Sequence, residues 1–391
     1  MQRRDFLKGA GVLTVAVVGG GVWRAWDQGV FSVSEGPAYE PWKDWRNAKD
    51  SPLALVSAAI LAASPHNTQP WVFKVSNSAI ELHIDKRRNT GALDPYLREE
   101  HIGMGCALEN LMRAAPANGY AATATLVPGK LGPIPAQPKL ELVARVELAP
   151  GGGEQDELYN AIPRRHTNRG NYDRHRPLPA DFVEALSQLP PDENVKLFLF
   201  TKEADRKKIT QVSSAANKEL YSDPGVLAGV HHWVRLPWSA VQKFRDGLTI
   251  DAFGLPPVAT AMCKMMPQSM LLWLASRDAK ESYSHLMLSA PLFGFIGVRD
   301  RYDQQNCLLA GRTWQRLHLF ATARGIAARP DNEAVEMVDH QRWLGKPASY
   351  VALLNGFTGD PTWQPTFVFV MGYPTVTARE SPRRPVDWVT I

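Results

Sequence analysis

Residues 63–71 read Ala63-Ser64-Pro65-His66-Asn67-Thr68-Gln69-Pro70-Trp71. Ser64, His66, Asn67, Thr68 and Gln69 offer hydroxyl, imidazole and carboxamide groups that can line the edge of a planar heterocycle. Pro65 and Pro70 limit the backbone entropy lost in holding those groups still. The alternative reading is an ordinary polar turn between helix and strand, since Ser-Pro and Asn-rich runs are common turn punctuation. Upstream, Leu55, Ala58, Ala59 and Ala62 keep helical spacing over residues 52–63, with Ser51 as N-cap. Downstream, residues 71–75 and 80–84 flank Ser76-Asn77-Ser78 and predict a hairpin.

Further along, Met104, Ala107, Leu108, Leu111, Met112 and Ala115 share one helical face, with a kink at Pro116 and a stop at Gly119. A shift of 206 positions carries Gly105, Leu108, Leu111, Ala115 and Gly119 onto Gly311, Trp314, Leu317, Ala321 and Gly325. The match suggests a duplicated helix, although amphipathic helices also align by chance. Proline and glycine density rises over residues 128–153 and marks a boundary between two halves, 46–150 and 151–391. In the second half, residues 195–200 read as a strand and 286–297 as a buried strand interrupted by Pro291. Residues 217–283, rich in Trp, Met and Pro, read as a helical insertion that either covers a site or packs as plain core.

The amino terminus carries Arg3-Arg4-Asp5-Phe6-Leu7-Lys8 ahead of an apolar, glycine-rich run over residues 9–22, the pattern of a twin-arginine export signal within residues 1–45. The apolar run is too short for a stable membrane span, which needs about 20 residues. Export of a folded chain fits Cys106, Cys263 and Cys307, an odd number that supports no disulfide framework. The formal charge of +5 includes two units from the leader, leaving too little for a nucleic-acid surface. Basic residues concentrate instead in Arg164-Arg165-His166-Thr167-Asn168-Arg169 and in Arg383-Arg384, which suits a small anionic ligand. No histidine pairing has metal-site spacing, and no Gly-x-Gly-x-x-Gly, Walker or Gly-x-Ser-x-Gly motif is present.

Ser64, Asn67, Gln69, Pro70 and Trp71 resemble the Ser-x-x-Asn-x-Gln-Pro-Trp signature of the nitroreductase superfamily, and the chain resembles its exported, Acg-like branch, in which one chain looks like two fused protomers. Arg165, Thr167 and Arg169 resemble the Arg-x-Ser-x-Arg segment of that superfamily, with Thr167 keeping the hydroxyl of the usual serine. The resemblance implies an α+β fold in which a mixed sheet is surrounded by helices and duplicated within the chain as a pseudo-dimer. It implies FMN as cofactor, contacted by Ser64, His66, Asn67 and Gln69 and gripped by Arg165, Thr167, Arg169 and, near the carboxy terminus, Arg384 in preference to Arg383. Positive charge at the flavin edge would favour its reduced anionic form. No second copy of either motif is found, so one FMN site per chain is expected.

The reaction implied is hydride transfer through FMN from NAD(P)H, or electron delivery from a redox partner protein, to a nitroaromatic, quinone or similar acceptor. A protein that sequesters or stores flavin is the competing reading, because a periplasmic location offers little free NAD(P)H. Twin-arginine export machinery would be a transient partner.

Overall fold

Two four-stranded sheets of the same connectivity, each with one long helix, build the architecture. The computed structural model describes residues 21–48, 51–190, 192–267, 269–272 and 283–391. The leader arginines and Trp273 lie outside the described residues. The first sheet contains β1 (Trp71–Val75), β2 (Ala79–Asp85), β3 (Tyr120–Leu126) and β4 (Leu140–Pro150), in the order β1-β2-β4-β3. The second contains β5 (Val195–Phe200), β6 (Leu292–Val298), β7 (Ala327–Pro330) and β8 (Gln364–Gly372), in the order β5-β6-β8-β7. All six ladders are antiparallel. The mixed character expected from sequence comes down to a parallel bridge between Thr390 and Phe73, extended by the Ile391 N–H donating to Phe73 O at 2.9 Å.

The short α1 (Glu40–Asp44) precedes the first half, which carries α2 (Leu53–Ala59) and α3 (Arg98–Ala117), and α4 (Glu157–Ala161) leads into α5 (Ala180–Leu186) ahead of β5. Between β5 and β6 the chain makes a long helical excursion through α6 (Glu203–Leu220), α7 (Pro224–His232), α8 (Trp238–Phe244), α9 (Pro257–Met265) and α10 (Tyr283–Ser289). The matching connection between β1 and β2 is the three-residue turn Ser76-Asn77-Ser78. Next come α11 (Gln304–Ala323), α12 (Glu333–Trp343), α13 (Ser349–Thr358) and the terminal α14 (Val386–Val389).

The two 20-residue helices α3 and α11 cross at glycines. A Cβ added at Gly105 would run into the Leu308 carbonyl, and one added at Gly311 would run into the Ile102 carbonyl. Residues 102 and 308, like 105 and 311, are 206 apart, so each helix makes the same contact on the other. The polar contacts exchange in the same way: Arg316 Nε donates to Glu109 at 2.8 Å and Gln315 Nε2 donates to Asn110 Oδ1 at 2.7 Å. Close approach of helix backbones needs residues without side chains, which is why both helices tolerate a glycine that costs each about 1 kcal/mol of helix propensity.

Two local expectations are corrected, and one helix extends beyond its apolar stripe. The α3 helix begins at Arg98, well before the apolar stripe at Met104, because the Asp94 carboxylate accepts the N–H groups of Arg98, Glu99 and Glu100 at 2.9, 2.9 and 3.1 Å. The N-cap position of α2 is Pro52; Ser51 Oγ merely accepts the Leu53 N–H at 3.3 Å. Residues 286–289 are helical, and the strand starts only after Pro291, which lacks the N–H a ladder needs. Cys106 and Cys307 are free and buried, as small apolar residues.

Candidate functional site

The loop after α2 is held in an unusual backbone conformation. His66, Asn67 and Gln69 have φ of 45°, 57° and 51°, all in the left-handed region, at a cost on the order of 1–3 kcal/mol each. Side chains within the same loop offset that strain. Asn67 Nδ2 donates to Gly247 O at 3.1 Å and to Pro382 O at 3.0 Å, while its Oδ1 accepts from Arg383 at 2.5 Å. Gln69 Nε2 donates to Arg245 O at 2.8 Å, its Oε1 accepts the Arg384 N–H at 2.8 Å, and Ser64 Oγ accepts the Gln69 N–H at 3.1 Å. The carboxamides therefore tie the loop to residues 245–247 of the helical excursion and to residues 382–384 after β8.

The loop, the segment after β8 and the arginine run line a small polar cleft of about 20 Å³, room for roughly one water molecule. Its wall includes Ser64, Asn67, Arg165, Thr167 and Arg169 among the residues singled out from sequence, together with Trp42, Ala63, His166, Ser381 and Arg383. His66 and Gln69 are not on that wall, and neither is Arg384, whose guanidinium donates to Gln69 O at 3.2 Å and Trp388 O at 2.9 Å. Arg383, ranked second from sequence, is the arginine that faces the cleft. The chain leaving β8 pairs its Arg383 N–H with Ala38 O at 2.8 Å, and this sets which of the two adjacent arginines turns inward.

The electrostatics of the cleft are one-sided. Arg165 and Arg383 are each 2% exposed and bond only to neutral acceptors and rings: Arg165 to Leu61 O at 3.2 Å and His318 at 3.5 Å, Arg383 to Ala62 O at 3.2 Å, Pro382 O and Asn67. No ion pair involving Arg165, Arg169 or Arg383 occurs among the described residues. Arg165 Nε, Arg383 Nε and His166 Nδ1 are buried without a hydrogen-bond partner. Burial pulls Arg165 down to about 10, and burial together with Arg329 and Arg165 does the same to Arg169, so both remain charged at neutral pH. Burial, then Arg165 and Arg383, lowers His166 to about 3; burial, then Arg169, lowers His66 to about 4. Both imidazoles are therefore neutral. Buried cations with unfilled donors call for an anion.

Trp42 closes one side of the cleft. Its ring meets His166 edge-on at 4.7 Å, the Arg383 guanidinium lies 4.7 Å from its centroid, and its Nε1–H donates to Ser381 O at 2.8 Å. Sequence reasoning missed Trp42 and Ser381 because neither belongs to a motif. His166 was visible only as a member of the basic run. Among the described residues no cluster of His, Cys, Asp or Glu could hold a metal ion.

Comparison with known proteins gives a partial sequence match and distant structural ones. Over 123 residues the chain is 32% identical to two curated Mycobacterium tuberculosis proteins, of strains CDC 1551 / Oshkosh and ATCC 25618 / H37Rv, provisionally named NAD(P)H nitroreductases. The chain is similar to nitroreductases. The match takes in 30% of this chain and 33% of each relative, so the chain spans about a third of the length of the curated relatives it matches. Among solved structures it is similar to the FMN-dependent nitroreductase NfnB from Mycobacterium smegmatis in complex with NADPH, at 16% identity and a TM-score of 0.40 over 60% of this chain and 97% of that one. It is also similar to an FMN-bound nitroreductase from Bacteroides fragilis, at 15% identity and a TM-score of 0.34 over 56% and 89%. No family model matches the chain.

Proposed function

We propose that this chain is an exported FMN-dependent oxidoreductase of nitroreductase type, an internally duplicated protein that holds one flavin in the cleft between its two halves. The observation that carries the reading is the set of buried, anion-free donors on Arg165 and Arg383, flanked by Arg169 and Thr167. These residues would hold the FMN phosphate and the polar edge of the ring once the cleft, closed here to about 20 Å³, widens to admit them, and a guanidinium fork suits a phosphate. Bound FMN would supply hydride transfer from NAD(P)H to a nitroaromatic, quinone or similar acceptor. The protein supplies placement and positive potential. His66 and His166, both neutral, provide no proton at physiological pH, so acceptor protons come from solvent. Export by the twin-arginine route to the periplasm is supported by Arg3-Arg4 and the run over residues 9–22.

A sequestering role is the second reading, favoured by Trp42, which covers the cleft from the amino-terminal side. One experiment separates the two. Purified protein is titrated with FMN and then, anaerobically, with NADPH while the flavin band at roughly 440–460 nm is followed. Arg383→Met and Arg165→Met should each weaken FMN binding about 10- to 100-fold, as the loss of a charge-assisted hydrogen bond worth about 1.5–3 kcal/mol requires. Bleaching by NADPH identifies a reductase, and a band that persists identifies storage or another donor. A protein that takes up no FMN refutes both.

A further inference from the structure

Residues 21–27 form a helical stretch with two unlike faces. One is fastened to the end of α9: the Arg24 guanidinium donates to Met265 O at 3.2 Å and Met266 O at 3.5 Å, and Lys264 Nζ donates to Gly29 O at 2.8 Å. The other face presents Val22, Trp23 and Trp26, 59%, 65% and 69% exposed, with Phe31 just beyond at 66%. Across the same contact, α9 exposes Val258 and Met262, one turn apart on one face, at 74% and 59%. Two segments tied together by hydrogen bonds thus each carry large apolar side chains at an exposure that marks an interaction surface.

Two observations choose its occupant. The residues that run directly into the patch, 9–22, carry no charge and are apolar apart from Thr14. The patch itself is led by tryptophan, whose amphipathic ring settles at the boundary between lipid and water. Fourteen residues are fewer than the ~20 a span needs, and no helix among the described residues is long and apolar enough to cross a membrane. We infer that the face formed by residues 22–31 and α9 seats on a lipid bilayer, so that the folded protein is held at the membrane surface by interfacial aromatics rather than by a spanning helix.

The test is flotation of the full-length chain with vesicles of phosphatidylethanolamine and phosphatidylglycerol at 3:1. The native chain should float with the vesicles in both 0.1 and 0.5 M salt, roughly either side of where surface charge is screened out. The double variants Trp23→Ser/Trp26→Ser and Val258→Ser/Met262→Ser, checked for folding by circular dichroism, should each lower the vesicle-bound fraction about tenfold, since each removes apolar area from the seat. The two pairs are more than 200 residues apart in sequence, so one remains informative if the other fails to fold. The inference is overturned if the native chain stays with the free protein, if a folded variant binds as well as native, or if sedimentation without vesicles shows a dimer that the variants dissolve.

Discussion

Substituting Gly311 by alanine tests the helix crossing on which the fold rests. The new Cβ would sit 2.8 Å from the Ile102 carbonyl carbon and 2.9 Å from Gly105 Cα, with the Ile102 oxygen nearer still. Ordinary contact begins near 3.4 Å, so α3 and α11 must separate by at least half an ångström along a seam of fully buried residues that includes Leu108, Leu111 and Leu317. Alanine gains about 1 kcal/mol of helix propensity over glycine. Forcing backbones apart in a packed interior costs about 1–3 kcal/mol or more, and loosening the buried seam adds the cavity cost of a core defect. The net loss is about 3 kcal/mol, and at an unfolding entropy of roughly 0.7 kcal/mol/K for a chain of this size Tm should fall by about 4 °C. Gly356→Ala is the control, because Gly356 lies inside α13 with ordinary helical backbone and nothing within 4 Å of its added Cβ, so only the propensity gain operates and Tm should rise by about 1 °C. The assay is differential scanning calorimetry of both variants beside native protein. A Gly311→Ala protein as stable as native would refute the crossing, and equal shifts of the same sign would show that helix propensity alone is being measured.

Two further predictions concern buried charge. Burial alone would raise the Glu109 carboxyl, but Arg316, Arg312 and Arg113 around it outweigh burial and hold it below the usual range. A depressed carboxyl adds stability that is fully present above the unfolded value near 4.5 and is lost as pH falls through the folded value. Glu109→Gln should cost about 2–3 kcal/mol at pH 7, with the difference between variant and native thermal midpoints shrinking below pH 4.5; a constant difference across pH would contradict this. Asp339 takes Arg98 at 2.6 Å, Arg301 at 3.2 Å and the Tyr302 hydroxyl at 2.8 Å, with Arg98 and Asp339 both fully buried. Asp339→Asn should lower the urea midpoint by an amount equivalent to about 2–4 kcal/mol, since it leaves the buried Arg98 with only the longer Glu99 pair at 3.3 Å and the Thr366 acceptors, and an unchanged midpoint would show that the network contributes nothing.

What could be read in the sequence follows from how locally each feature is encoded. The β1–β2 hairpin and the face of α3 depend on alternation and helical spacing within a few residues, and they appear where expected. The start of α3 escaped because Arg98, Glu99, Glu100 and His101 look like surface residues, yet all four are buried once Asp94 caps the turn and Asp339 arrives from 241 residues away. The choice between Arg383 and Arg384 depended on which way an extended segment faces, and that is fixed by its contact with Ala38, far away in sequence. Trp42 carried no chemical signature at all; its place at the cleft comes from an amino-terminal segment folded across the carboxy-terminal one. Gln69 shows the converse. Its motif was plain, but the geometry gives its carboxamide to Arg245 O and the Arg384 N–H, so it shapes the wall from behind.

The halves repeat each other in strand order but not in the pieces that make a cleft, and this determines how many ligands one chain can hold. In the first half the connection from α2 to β1 contains the loop with Ser64 and Asn67; in the second, the connection from α5 to β5 is residues 187–194, Ser-Gln-Leu-Pro-Pro-Asp-Glu-Asn, whose sequence carries no such motif. The arginine run precedes α5 only, and no second run of that kind precedes α2. Arg383 comes from the segment after β8, whereas the first half has β4 running on into Gly151-Gly152-Gly153. Each half therefore contributes what the other lacks, and the parts meet at one place. Under the FMN reading the chain should bind one flavin, so native mass spectrometry of flavin-saturated protein should show a single added FMN mass per polypeptide. Arg383→Met should reduce that one adduct without revealing another. Two adducts per chain would mean that the pseudo-symmetric position retains a working site and that the argument from missing pieces fails.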